Sequence, residues 1–114
     1  MAAQPSATAA DFPLEWTSTP WNYKYQGRWT DVTDTLCART QGYRLRVRIS
    51  PVGGSGPTFT VTTSGGGGGT WSAWACTGNL SIPEDVKYKM ELITVKVEAL
   101  DPPTQVRKSG TFFT

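Results

Sequence analysis

Cys37 and Cys76 are the two cysteines of the 114-residue chain, so only one intramolecular pairing exists. Metal binding would need further ligands, and the chain contains no histidine, which is the commonest metal ligand. A catalytic thiol would likewise lack an imidazole to activate it. We therefore predict a structural disulfide, with buried free thiols as the alternative. In the chain-entropy model this bridge stabilises the fold by on the order of 3–4 kcal/mol.

Aromatic side chains are numerous for the length of the chain, which has five tryptophans and four tyrosines. Such rings offer a large contact area at a low cost in conformational entropy. The sequence favours the interpretation that these rings fill the core and close its open ends. Because core packing can absorb only part of the set, the alternative is a platform that stacks on sugar rings or docks another protein. The candidate platform residues are Trp21, Tyr23, Tyr25 and Trp74.

Arg44, Arg46 and Arg48 alternate with apolar residues, so we expect their side chains on one exposed face of a strand. This basic face could contact phosphate groups or an acidic protein partner. The net charge of +2 is too small for a dedicated nucleic-acid binder, and a protein partner is therefore expected. The alternative is a solvated face, neutralised in part by glutamates such as Glu91.

Two local pairs of carboxylates, Asp31 with Asp34 and Glu84 with Asp85, lie in predicted turns, where Asp commonly caps its own backbone. No pattern in the sequence places two carboxylates across a cleft, as a glycosidase requires. The turn at Asp31 also supplies too few oxygens for a calcium loop. Without histidine or an activated nucleophile, the sequence predicts a protein that is not an enzyme and uses no metal or cofactor.

The elements that position these residues are predicted to be strands, because apolar residues recur with a period of two. Tyr43–Ile49 alternates most clearly, and Thr58–Thr63 follows it as the second strand of a hairpin. Val86–Leu100 is the longest predicted strand, and its change of apolar phase at Leu92 and Ile93 indicates a β-bulge. Further strands are predicted within Phe12–Trp16, Trp21–Tyr25, Gly27–Arg39, Thr70–Cys76 and Thr104–Thr114, and a flexible loop at Gly65–Gly69.

About seven short strands separated by turn signals predict an all-β fold. We expect an antiparallel β-sandwich with an immunoglobulin-like or fibronectin-like topology, formed by residues 12–114 as a single domain. Val106 and Phe112 are expected to face the core, and Trp71 and Trp74 to lie on opposite faces of their strand. Residues 1–11 are mostly small and uncharged, which favours a flexible N-terminal arm or linker.

A small disulfide-stapled sandwich of this kind is typical of an interaction module. We expect an accessory protein of a larger assembly, such as a bacteriophage capsid-decoration or tail component, located in the virion. The absence of a signal-peptide pattern after Met1 and the small-residue arm favour this hypothesis. Its partners would be capsid or tail subunits, or further copies of the chain, bound through the arm or a sheet edge.

The alternative function is that of a secreted bacterial module that binds carbohydrate or mediates adhesion, with Met1 replacing a removed signal peptide. The tryptophans and the predicted disulfide favour this extracellular alternative. A third hypothesis is a secreted inhibitor that inserts a loop into an enzyme cleft. No apolar run approaches the ~20 residues that a membrane span requires.

Overall fold

The computed structural model describes residues 10–54 and 56–114. These residues form two antiparallel sheets of four strands each and no α-helix, which confirms the predicted all-β sandwich. The strands are β1 (Phe12–Thr17), β2 (Lys24–Thr30), β3 (Thr35–Thr40), β4 (Leu45–Pro51), β5 (Phe59–Thr62), β6 (Ala75–Cys76), β7 (Lys87–Thr94) and β8 (Gln105–Phe113).

The first sheet has the strand order β1-β2-β3-β6 and the second the order β5-β4-β7-β8. The predicted β4–β5 hairpin is confirmed, with Val47 paired to Val61. The immunoglobulin-like identity is not confirmed. In that fold the second strand lies between the first and the fifth, whereas β2 lies between β1 and β3 here.

The hydrophobic core lies between the two sheets, because each central strand turns every second side chain inward. In β4 the inward residues Leu45, Val47 and Ile49 are fully buried, while the arginines between them are partly exposed. Each such side chain contributes about 1.5–3 kcal/mol through burial. From the first sheet, the fully buried ring of Trp29 packs against Phe112 of the second, with 5.7 Å between ring centroids.

The predicted bulge is present, because the β7–β8 register shifts between Leu92 and Ile93. Phe112 faces the core as expected, but Val106 is 43% exposed, so the expectation for Val106 was wrong. The bulge is the reason, because it interrupts the alternation of inward and outward side chains along β8. Val106 pairs with Ile93, on the far side of the bulge from Phe112.

Strand β7 ends at Thr94, whereas the predicted strand continued to Leu100. The following residues form a loop in which the carboxylate of Asp101 accepts hydrogen bonds from the backbone N–H groups of Val97 (3.1 Å) and Glu98 (2.9 Å). An Asp side chain that satisfies nearby backbone donors offers them an alternative to a sheet ladder. These bonds explain why the β-branched composition did not extend the strand.

Strand β6 contains two residues, Ala75 and Cys76, whereas the predicted strand began at Thr70. The glycine-rich segment before it is not a free loop. Gly66 N donates to the carbonyl of Gly42 at 2.8 Å, and Gly69 N donates to that of Gln41 at 2.9 Å. Backbone contacts with the β3–β4 turn therefore hold this segment where side chains cannot.

The predicted N-terminal arm lies mostly outside the described residues, which begin at Ala10. Asp11 is described, and its Oδ1 accepts a hydrogen bond from the backbone N–H of Asp31 at 2.9 Å. Strand β1 begins at the next residue, Phe12, whose ring stacks on Phe112 with 5.3 Å between centroids. This contact joins the edge strands of the two sheets.

Candidate binding groove

A groove of about 720 Å³ opens at one end of the sandwich. Its volume lies within the range of ~300–1,000 Å³ that is usual for ligand sites. The β1–β2 loop, the β3–β4 turn, the glycine-rich segment and the start of β8 surround it. Its aromatic lining consists of Trp16, Trp21, Tyr23, Tyr25 and Tyr43.

The floor of the groove is formed by Trp16 and Tyr25, whose ring centroids are 5.1 Å apart. Tyr25 is almost fully buried, and its hydroxyl oxygen accepts a hydrogen bond from Tyr43 N at 3.1 Å. Burial raises the pKa of the Tyr25 hydroxyl, so this group stays neutral. Tyr25 therefore supports the groove from below, and the prediction that its ring belongs to an exposed platform was wrong.

Trp21 lies at the rim of the groove, with 71% of its surface accessible. It lies at the tip of a tight loop, in which Ser18 N donates to Tyr23 O and Asn22 N donates to Ser18 O. Asn22 has a φ of 57°, a left-handed conformation that asparagine tolerates better than most residues. This closed loop explains why the tryptophan stands at the groove and is not in the core.

The polar side of the groove includes Arg107 and Gln105 from β8 and Ser18 from the β1–β2 loop. Arg107 Nε donates to Thr94 Oγ1 at 2.9 Å, and the guanidinium carbon lies 5.2 Å from the ring centroid of Trp16. The groove thus combines exposed rings with hydrogen-bonding groups. A ligand with both apolar faces and polar edges would satisfy both.

Trp74 does not lie at the groove, so the structure divides the predicted platform. Its ring lies on the outer face of the first sheet, 4.4 Å from the guanidinium carbon of Arg28 and 4.5 Å from that of Arg39. Trp71 contacts the same Arg39 at 4.0 Å, so the expectation that the two tryptophans occupy opposite faces was wrong. Side chains alternate only in strands, and these two residues precede β6.

The position of the predicted basic face depends on β4, which contains two of its three arginines. Arg46 and Arg48 lie on the outer face of the second sheet, and Arg44 lies just before the strand. Arg48 Nη2 is 2.7 Å from Glu91 Oε1, and Lys89 Nζ is 3.7 Å from Glu91 Oε2. Within the described part of the chain, Arg44 and Arg46 form no ion pair. Glu91 therefore neutralises only part of this face.

Cys37 and Cys76 form the predicted disulfide, and they face each other on the paired strands β3 and β6. The bridge lies within one sheet, whereas the bridge of antibody domains joins two sheets. A disulfide fits a protein of an oxidising, extracellular environment. In the described part of the chain, no helix has the length and apolar character needed to cross a membrane.

Asp31, Asp34 and Glu84 lie together at the end of the sandwich opposite the groove, with one oxygen of each within 4.8 Å of the others. Carboxylate oxygens of this kind are the ligands that hard cations such as Ca²⁺ take. Desolvation and then the charge of Asp31 raise the pKa of Asp34. Desolvation and then the charge of Asp34 raise that of Glu84. The sequence analysis paired Asp31 with Asp34 because they are close in the chain. It did not place Glu84 with them, since only the tertiary fold brings the turn that contains Glu84 next to these two residues.

Sequence reasoning also missed three groove residues, Trp16, Tyr43 and Arg107. Tyr43 begins the predicted strand Tyr43–Ile49, but β4 begins two residues later and leaves the ring 43% exposed. The bulge was the one available signal for Arg107, since bulges often re-aim side chains beside functional sites. No local pattern shows that these three chain positions meet.

Comparisons of the chain with protein-family models, with curated proteins and with solved structures found no match. The function proposed below therefore rests on the geometry of the groove.

Proposed function

We propose that this chain is a non-enzymatic binding module that holds a saccharide in the aromatic groove. The observation that carries the proposal is the exposed ring of Trp21 at the rim of a groove that Tyr23 and Tyr43 also line. An exposed cluster of large rings in a concave site is a common mark of ligand binding. Sugar rings present C–H faces that pack on aromatic rings, while their hydroxyl groups need polar partners.

Polar groups that suit sugar hydroxyls lie beside the rings. Gln105 supplies an amide that donates and accepts, Ser18 supplies a hydroxyl, and Arg107 supplies donors. Among the described lining residues there is no carboxylate, and hydrolysis of a glycosidic bond requires two of them. This lining supports binding without turnover.

The proposal is tested by titrating the protein with a panel of neutral and acidic oligosaccharides while following tryptophan fluorescence and heat of binding. Trp21→Ala should weaken binding by about 5-fold to 150-fold, because loss of a buried aromatic contact costs about 1–3 kcal/mol. Trp74→Ala is the matched control, since it removes the same side chain from outside the groove. If no saccharide of the panel binds, or if both variants bind as tightly as the wild type, the proposal fails.

A second candidate function is the accessory role in a larger assembly, such as a bacteriophage capsid or tail, with the protein located in the virion. The observation that favours it is the incomplete neutralisation of the outer face of the second sheet, where Arg44 and Arg46 are unpaired among the described residues. Such a face would steer toward an acidic protein partner. Arg44→Glu with Arg46→Glu should abolish co-purification with the particle, and an unchanged yield would exclude this role for the face.

A further inference from the structure

Arg107 is the extra residue of the β7–β8 bulge. Adjacent residues Leu92 and Ile93 of β7 pair with residues of β8 that are two positions apart, and Arg107 is left between them. A bulge bends its strand and redirects the side chain of the extra residue. Here the redirected side chain lines the groove, against Trp16 of the opposite sheet.

The guanidinium of Arg107 is held in place on one side only. Its Nε donates a hydrogen bond to Thr94 Oγ1, and its central carbon lies within cation–π distance of the Trp16 ring. Within the described residues its two terminal nitrogens have no hydrogen-bond acceptor, and the residue forms no ion pair. The group is therefore preorganised and has free donors.

Among the described residues that line the groove, Arg107 is also the one charged side chain. A positive charge against aromatic walls is weakly hydrated and favours an anionic ligand group. The planar fork of a guanidinium matches a carboxylate, to which it donates two parallel hydrogen bonds. The hydroxyl oxygens of a neutral sugar could accept from these donors, but they would leave the positive charge without a counter-charge.

We propose that the groove selects an acidic saccharide, in which a hexuronate ring packs on the tyrosine and tryptophan rim and its carboxylate binds Arg107. This inference rests on the proposed function, since it names the ligand class of the same groove. The competing interpretation is that Arg107 only covers the ring of Trp16. The two differ in whether binding depends on the charge of the saccharide.

The test uses oligosaccharides of polygalacturonate, alginate and hyaluronan, each beside its carboxyl-reduced form, which keeps the sugar ring and removes the charge. Calorimetric titrations at about 0.15 M salt limit long-range attraction. We expect at least one acidic oligosaccharide to bind roughly tenfold or more tightly than its reduced form, the scale of a hydrogen bond to a charged group. Arg107→Gln should remove that preference, and Arg107→Lys should retain only part of it because the fork is lost.

Arg46→Gln is the matched control, because it removes one positive charge from the outer face of the second sheet. It should leave the preference unchanged. Equal binding of acidic and reduced forms would overturn the inference while leaving the proposed function intact. Loss of the preference in Arg46→Gln as large as in Arg107→Gln would also overturn it. Failure of every saccharide, reduced or acidic, would overturn the proposed function itself. Thermal melting of each variant confirms that it is folded before it is titrated.

Discussion

The guanidinium carbon of Arg39 lies 4.0 Å from the ring centroid of Trp71. The same side chain also contacts Trp74, and its Nε donates to Gln26 Oε1 at 2.8 Å. These contacts fasten the segment before β6 to the outer face of the first sheet.

Arg39→Ala should therefore loosen the segment before β6. We expect a loss of about 1–2 kcal/mol in the free energy of unfolding, since two cation–π contacts disappear. Hydrogen exchange of the Ser72 amide should accelerate, because its bond to Thr40 O (2.8 Å) depends on the segment staying in place. Arg46→Ala, which removes an arginine from the other sheet, should leave that amide protected. Equal protection in both variants would show that the backbone bonds hold the segment alone.

Removal of the disulfide should destabilise the protein strongly. The bridge closes a loop with a sequence separation of 39, for which the chain-entropy model gives on the order of 3–4 kcal/mol. Replacing Cys37 and Cys76 together by alanine should lower the urea midpoint accordingly. Addition of a reductant should destabilise the wild type and have no further effect on the double variant. A stability within error of the wild type would contradict the prediction.

Asp34→Asn should stabilise the protein at neutral pH. The pKa of Asp34 is raised in the folded state by desolvation and by the charge of Asp31, so the folded protein binds this proton more tightly than the unfolded chain. Stability is therefore lost as pH rises through the folded pKa. At pH 7 the variant should gain about 0.5 kcal/mol, the scale of exposed charge interactions. At about pH 2.5, below the ordinary Asp pKa of ~3.9, the gain should vanish.

Asp101→Asn should show the opposite sign and serves as the control. Backbone hydrogen bonds from Glu98 and Val97 lower the pKa of Asp101, so its contribution is present above the unfolded pKa and is lost as pH falls through the folded pKa. The variant should melt below the wild type at pH 7 and match it in acid. Melting curves between pH 2.5 and pH 7 measure both variants. Shifts of the same sign in both would contradict the assignment.

Gly66→Ala should disturb the groove, because its Cβ would lie 2.6 Å from the carbonyl oxygen of Thr40. The obstructing atoms belong to the backbone and cannot rotate away. We expect a cost of about 1–3 kcal/mol, as for other overpacked sites, together with weaker saccharide binding. Gly67→Ala is the matched control, since its nearest contact is the Cβ of Thr70 at 3.8 Å. An unchanged melting temperature in Gly66→Ala would show that the segment moves freely.

The elements with strict alternation were the ones that sequence reasoning located well. Local apolar patterns located the β4–β5 hairpin and the bulge at Leu92. The number of cysteines left a single possible disulfide. The prediction failed where hydrogen bonds outside the strands decide the structure. Hydrogen bonds to Asp101 form a loop soon after β7, and backbone bonds to the β3–β4 turn hold the glycine-rich segment.

For the candidate site, the sequence by itself determined which chemistry is present: many aromatic rings, arginines and two cysteines, with no histidine. The tertiary structure decided which of these side chains meet. It placed Trp21, Tyr23 and Arg107 in the lining of one groove and Trp74 against Arg39 on another surface. The physical reason is that a strand's period of two assigns a side chain to a face, whereas neighbours across a sandwich depend on strand order, register and bulges, which no local pattern encodes.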